Sequence, residues 1–120
     1  MPWGNWEENK ESTLECYRDS GIGFVSLTVG LDRMGFEETI QWVAKERKRL
    51  RGWADRVHFV ETAADIRTAK KLGKMAIGFH FQGTNPLGRD INMVSLYHKL
   101  GVRHMLLAYN QKNAMADGCH

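Results

Sequence analysis

The residues best placed to do chemistry sit where two apolar runs end. The run Ala76-Ile77-Gly78-Phe79-His80-Phe81 stops at Gln82 and turns through Gly83-Thr84-Asn85-Pro86. A second run stops at Tyr109-Asn110-Gln111-Lys112-Asn113 and leads into Ala116-Asp117-Gly118-Cys119-His120. In parallel α/β folds the reactive or binding groups gather at the carboxyl ends of the strands. Amides and a phenol at such ends donate and accept hydrogen bonds without carrying charge, which is the chemistry of polar ligand recognition. His80 and Gln82 are two apart on an extended run, so they project from one face and can line a polar cavity. One histidine makes a poor metal site, and His58, His98 and His104 read as packing or surface residues. Asn, Gly and Pro after a strand are also what any turn uses, so these letters alone do not establish a site.

Four near-continuous apolar runs must position these residues: Ile22–Val29, Val57–Val60, Met75–Phe81 and Val102–Tyr109. Uninterrupted runs of this kind are typical of parallel strands buried on both faces. Helical segments alternate with them. One covers Glu7 to Ser20 and closes at Gly21. The next, Phe36–Leu50, has Phe36, Ile40, Val43, Ala44, Arg47 and Leu50 on one helical face, leaving most of its charges outward. A third starts at Thr62, whose hydroxyl and the carboxylate of Asp65 suit a first turn, and stops at Gly73. A fourth starts after Asp90 as its cap and stops at Gly101. Both of the last two finish in Lys-Leu-Gly, at Lys71–Gly73 and Lys99–Gly101, with glycine free to take the left-handed residue that ends a helix. The alternation predicts a parallel sheet with right-handed crossovers. No GxGxxG or GxxxxGK[ST] follows any strand, which counts against a nucleotide-binding open sheet.

The 120 residues, 42% hydrophobic and 26% charged, describe one ordinary globular domain or part of one. No apolar stretch approaches the roughly 20 residues of a membrane span. The first residues lack the basic and apolar regions of a leader, so a cytoplasmic location is expected. Cys16 and Cys119 have no metal-site or redox spacing and read as free thiols. The net charge is +3, with six Lys/Arg against two Asp/Glu between Lys45 and Arg56. That run lacks interleaved aromatics and fits a solvated helix face, so no nucleic-acid partner is expected.

The segment Lys74–His120 resembles the zinc-dependent membrane dipeptidase (renal dipeptidase) family. The likeness rests on an apolar strand ending in a polar residue and glycine, on Leu100-Gly101-Val102-Arg103, and on Asn110-x-x-Asn113-x-x-Ala116-Asp117-Gly118. Thr62-Ala63-Ala64-Asp65-Ile66-Arg67 is similar to the family's segment before the preceding helix. The resemblance implies a (β/α)8 barrel, zinc as cofactor and hydrolysis of dipeptides. It puts Gln82 where the family has a glutamate bridging two metals, and Tyr109 where it has a histidine that contacts substrate. Tyr109, Asn110 and Asn113 are thereby candidate substrate-binding residues. A neutral amide offers one good acceptor and no charge, so Gln82 is a weak metal ligand, and the chain resembles a branch with Phe-Gln-Gly at this strand end. The family's His-x-Asp pair is not found before Ile22, and its later metal-binding histidines and aspartate have no counterpart here.

A complete barrel needs at least about 200 residues. The expectation is therefore part of a barrel, about half of it, inactive alone. Its partners would be a dipeptide-like small molecule and either a second copy or the missing barrel half. Two other readings stay open: a structural or oligomerising module, and small-ligand binding without catalysis.

Overall fold

A computed structural model describes residues 9–120. Helix α1 (Lys10–Asp19) leads into strand β1 (Phe24–Gly30), then α2 (Phe36–Gly52), β2 (Val57–Phe59), α3 (Ala63–Lys71), β3 (Met75–Phe81), α4 (Met93–Lys99) and β4 (Val102–Met105). The expected alternation holds. Glu7 and Glu8 of the expected first helix lie outside the described residues.

All four strands are parallel, and β3 is the centre of the sheet. One edge of β3 carries β1 along its whole length, from Phe24 opposite Ala76 to Gly30 opposite Phe81. The other edge is shared. β2 pairs only with Met75–Ile77 at the amino end, and β4 takes over at Phe79–Phe81. The run Val57–Val60 is thus a short support under β4 rather than a strand of full height.

The two faces of the sheet differ in kind. Met75, Ile77, Phe79 and Phe81 turn with Leu27 and Val29 toward the helices, where Val43, Leu50, Leu87 and Tyr97 complete the core. Phe81 meets Tyr97 edge to face at 4.6 Å. Gly30 makes room for that stack, because a Cβ there would stand 2.5 Å from the Phe81 ring. Ser26, Thr28 and His80 turn the other way, as their mutual hydrogen bonds show.

Local signals set the helix boundaries. The Asp65 carboxylate accepts the Thr62 N–H (2.7 Å) and the Glu61 N–H (3.0 Å), closing the first turn of α3. These bonds hold its pKa below the ordinary aspartate value. Gly73 and Gly101 have φ of 66° and 102°, the left-handed region that both Lys-Leu-Gly endings predict.

Three boundaries or faces differ from the expectation. α4 starts at Met93, not after Asp90, because Asp90 Oδ1 accepts the Asn92 N–H (2.9 Å) and holds a turn first. β4 stops at Met105: once Leu106 N–H has reached Phe81 O (3.0 Å), β3 offers no further partner, and the chain bends away before Tyr109. The buried face of α2 is Thr39, Val43, Glu46 and Leu50, leaving Phe36 and Ala44 exposed. Glu46 is 1% exposed and is held by Lys10 Nζ (2.6 Å) and by Arg49 Nη1, which reaches both carboxylate oxygens (2.8 and 2.9 Å). A carboxylate is tolerated there because cations follow it inward. Cys16 and Cys119 are free thiols. Among the described residues no helix is long and apolar enough to cross a membrane.

Candidate functional site

The carboxyl ends of β1, β3 and β4 converge on a cavity of about 170 Å³ lined by Leu31, Asp32, Arg33, Gln82, Tyr109, Asn110 and Gln111. β3 delivers Gln82, whose N–H is tied to Gly30 O (2.8 Å), so its place is fixed by the ladder. Tyr109 and Asn110 arrive on the segment after β4. Their backbone is pinned by two later residues: Cys119 N–H donates to Tyr109 O (3.1 Å) and His120 N–H to Asn110 O (3.1 Å).

Asp32 fastens the three ends together. Its Oδ2 accepts the Asn110 and Gln111 N–H groups, each at 3.0 Å, and its main-chain carbonyl accepts the Asn85 side-chain amide. Its Oδ1 is buried without a hydrogen-bond partner and lies against Gly83, where a Cβ would stand 2.4 Å from it. This is the physical reason for glycine after Gln82. A second tie lies beside the first. Thr84 Oγ1 donates to Leu107 O (2.7 Å), and Asn113 Nδ2 donates to the same carbonyl (2.8 Å).

The candidates therefore separate. Gln82, Tyr109 and Asn110 share one cavity wall, and Asn113 is not on it. Asn113 Oδ1 accepts the Met115 and Ala116 N–H groups (2.8 and 3.1 Å), so its side chain braces its own loop. Asp32 is missed by a search for amides at strand ends; its signal in the sequence is an acid just beyond the first apolar run, in Val29-Gly30-Leu31-Asp32.

One turn deeper, His80 accepts or donates through both ring nitrogens: Nδ1 to Ser26 Oγ (2.9 Å) and Nε2 to Thr28 Oγ1 (2.8 Å). The His104 ring stacks on it at 4.7 Å and 9°. Burial first, and then the neighbouring imidazole, push the His80 pKa below the ordinary 6.5. His104 is thus a stacking partner on the polar face. A register shift between Phe79 and His80 puts it there, which the spacing of β4 alone does not reveal.

A family model described as membrane dipeptidase (Peptidase family M19) matches residues 30–120. The chain belongs to the membrane dipeptidase family. Dipeptidase tcpJ of Claviceps purpurea is 26% identical over 80 residues, covering 67% of this chain and 19% of that protein. Among solved structures, an amidohydrolase from Pseudomonas aeruginosa superposes with a TM-score of 0.86 at 31% identity, over 90% of this chain and 33% of its own. The probable dipeptidase PvdM from the same organism gives 0.76 at 19% identity, over 87% and 29%. Dipeptidase AC, a metallopeptidase of family M19, gives 0.66 at 19% identity, over 80% and 32%. The chain thus spans about a fifth of its curated relative and about a third of these structures. The fold class, parallel βα units of a TIM-barrel-type dipeptidase, stands.

A metal cofactor goes with the dipeptidase family, but the donors of this segment do not fit one. Among the described residues no three His, Cys, Asp or Glu gather into a potential metal site. Gln82 is a neutral amide, and the carboxylate beside it, Asp32, has one oxygen spent on two N–H groups and the other shut in against Gly83. Both ring nitrogens of His80 are already bonded to hydroxyls.

Proposed function

We propose that this segment forms one wall of the dipeptide-binding site of a membrane dipeptidase and does not hydrolyse peptides by itself. The observation that carries the reading is the cavity at three parallel strand ends, where Gln82, Tyr109 and Asn110 meet. Together they offer amide donors, amide acceptors and a phenol, the set that holds and orients the peptide group of a short substrate. Gln82 occupies the place of the family's bridging glutamate, and its neutrality makes it a contact to the ligand rather than to a metal pair. Zinc belongs to the complete family site in this reading, with its ligands supplied from outside these residues. Hydrolysis is the expected activity of the complete family site.

The same amide-lined wall also supports ligand binding without turnover, because nothing on it is a nucleophile or a general base poised by a partner. Association belongs to the proposal as well. Ile91, Val94 and Leu96 expose apolar surface on and beside α4, and Leu106 and Leu107 do so beyond β4. Light scattering after size exclusion should find these faces covered by a second copy, and a folded monomer at all concentrations would count against that part.

The test is metal content and turnover measured together. After equilibration with zinc and desalting, elemental analysis should find well under one zinc per chain, and a dipeptide panel should show no hydrolysis above a zinc blank. Two zinc ions per chain, or clear turnover, would overturn the proposal.

A further inference from the structure

A groove of about 350 Å³ runs between the end of α2 and β2, at the opposite end of the sheet from the strand-end cavity. A volume of that order suits a small molecule. Leu50, Val57 and Phe59 give the groove an apolar floor, and Arg47, Arg51 and Lys74 line it with positive charge. No carboxylate lines it. Asp65 Oδ1 stands 3.7 Å from His58 Nε2 at the groove's edge, while its Oδ2 takes the Glu61 and Thr62 N–H groups. Asp55 turns to Arg56 (3.9 Å). The strand-end cavity differs, because there the Asp32 carboxylate lies beside Arg33 in the same lining.

Two of the three cations are held by the fold and keep donors to spare. Arg47 Nη1 donates to Leu100 O (2.9 Å), and its guanidinium lies 4.9 Å from the centre of the Phe59 ring. Lys74 Nζ donates to Ala54 O (2.6 Å). Both groups carry more N–H donors than these bonds use. Arg51 is exposed, and among the described residues no carboxylate or carbonyl holds it. It is not needed to cap α2 either. Leu50 O takes the Trp53 N–H (3.2 Å), and Trp53 O takes the Arg56 and Val57 N–H groups (2.8 and 2.9 Å). Like charges gathered in one groove repel, and an anion placed among them relieves that repulsion.

We infer that this groove binds a small organic phosphate, a monoester carrying an apolar group, independently of the dipeptide reading of the strand-end cavity. A phosphate monoester carries about −1.5 to −2 charge at neutral pH and three acceptor oxygens, which a single carboxylate does not match. Arg47 and Arg51 approach from α2 and Lys74 from the residue before β3, so those oxygens are met from two sides. Guanidinium groups pair with phosphate oxygens through parallel N–H bonds, and lysine adds a compact point charge. The apolar group lies against Leu50, Val57 and Phe59, and its burial adds affinity that exposed charges alone do not give. Because Arg47 and Lys74 are already held, binding has little ordering left to do.

The experiment is a titration of the isotopically labelled 120-residue chain with phenyl phosphate, inorganic phosphate and phenol, followed by two-dimensional NMR. Phenyl phosphate should shift the signals of Arg51, Ala54, His58 and Lys74 and leave those of Gln82, Tyr109 and Asn110 in place. Inorganic phosphate, which lacks the apolar group, should bind about tenfold more weakly. Phenol, which lacks the charge, should shift none of these signals. Arg51→Gln should weaken phenyl phosphate about tenfold. Lys48→Gln loses the same charge from the same helix but outside the groove, and should leave the affinity unchanged. Both residues are exposed, so the variants are expected to fold, and an unchanged spectrum away from the groove checks that they do. Equal losses in the two variants would mean general attraction to a basic helix and would overturn the site. Phenyl phosphate binding no more tightly than inorganic phosphate, or leaving the groove signals unmoved, would overturn it too.

Discussion

The two faces of β3 follow different rules although they share one backbone. Odd-numbered residues from Met75 to Phe81 are large, apolar and sealed against the helices. Even-numbered residues run Ala76, Gly78, His80 and then Gln82: small at the amino end and polar toward the carboxyl end, where the other strand ends converge. The first face is fixed by volume, and any apolar residue of the right shape satisfies it. On the second, Ala76 joins Val60 and Ala69 in a small apolar cluster, while His80 is held by hydrogen bonds from β1 and by the stacked ring of His104. One face stabilises the fold, and the other holds apart a polar surface that stabilisation alone would not select.

That contrast predicts a steep difference in mutational cost. Phe81→Ala removes the ring packed on Tyr97 and against Gly30, and should destabilise the chain by about 3–5 kcal/mol in urea unfolding. A loss under about 1 kcal/mol would mean that the apolar face is far looser than its packing implies. Gly83→Ala tests the mouth, because a Cβ there would meet Asp32 Oδ1 at 2.4 Å. It should cost about 1–3 kcal/mol and abolish ligand-induced shifts at Asn110, where Phe81→Leu should leave those shifts in place. On the polar face, Ser26→Ala removes one partner of His80 and should cost about 0.5–1.5 kcal/mol. A larger loss than that of Phe81→Ala would invert the comparison.

The smallest effect is the pH response of His80. Its folded pKa lies below 6.5, so the unfolded chain binds the proton more readily. Stability from this residue is complete above about pH 6.5 and declines as pH falls below that value toward the folded midpoint. Histidine ring signals followed by NMR should show the His80 midpoint below 6.5. A His80 midpoint at or above 6.5 would contradict the burial against Ser26, Thr28 and His104.

Much of this was written locally in the chain. The first three apolar runs, the Thr62–Asp65 turn and the two Lys-Leu-Gly endings rest on neighbouring residues, and each appears within about two residues of where the sequence places it. The departures depend on distant partners. β4 ends at Met105 because β3 has run out, although Leu106, Leu107 and Ala108 are as apolar as a strand requires. Glu46 is buried because Lys10, 36 residues away, comes to it. Asp32 meets Asn110 and Gln111 across 78 and 79 residues, and His104 reaches His80 only through a register shift. Periodicity carries no trace of such pairings. Gln82, Tyr109 and Asn110 were legible as candidates because they close apolar runs, whereas Asn113 and Asp32 could be sorted only by seeing which loops are tied to which.

The most direct test of the central claim, that the ends of β3 and β4 form one binding wall, is whether Gln82 and Tyr109 report the same event. On adding glycylglycine, the Gln82 side-chain amide and the Tyr109 ring signals should move together and fit a single dissociation constant. Movement of one without the other, or two separate constants, would show that the strand ends face different surroundings.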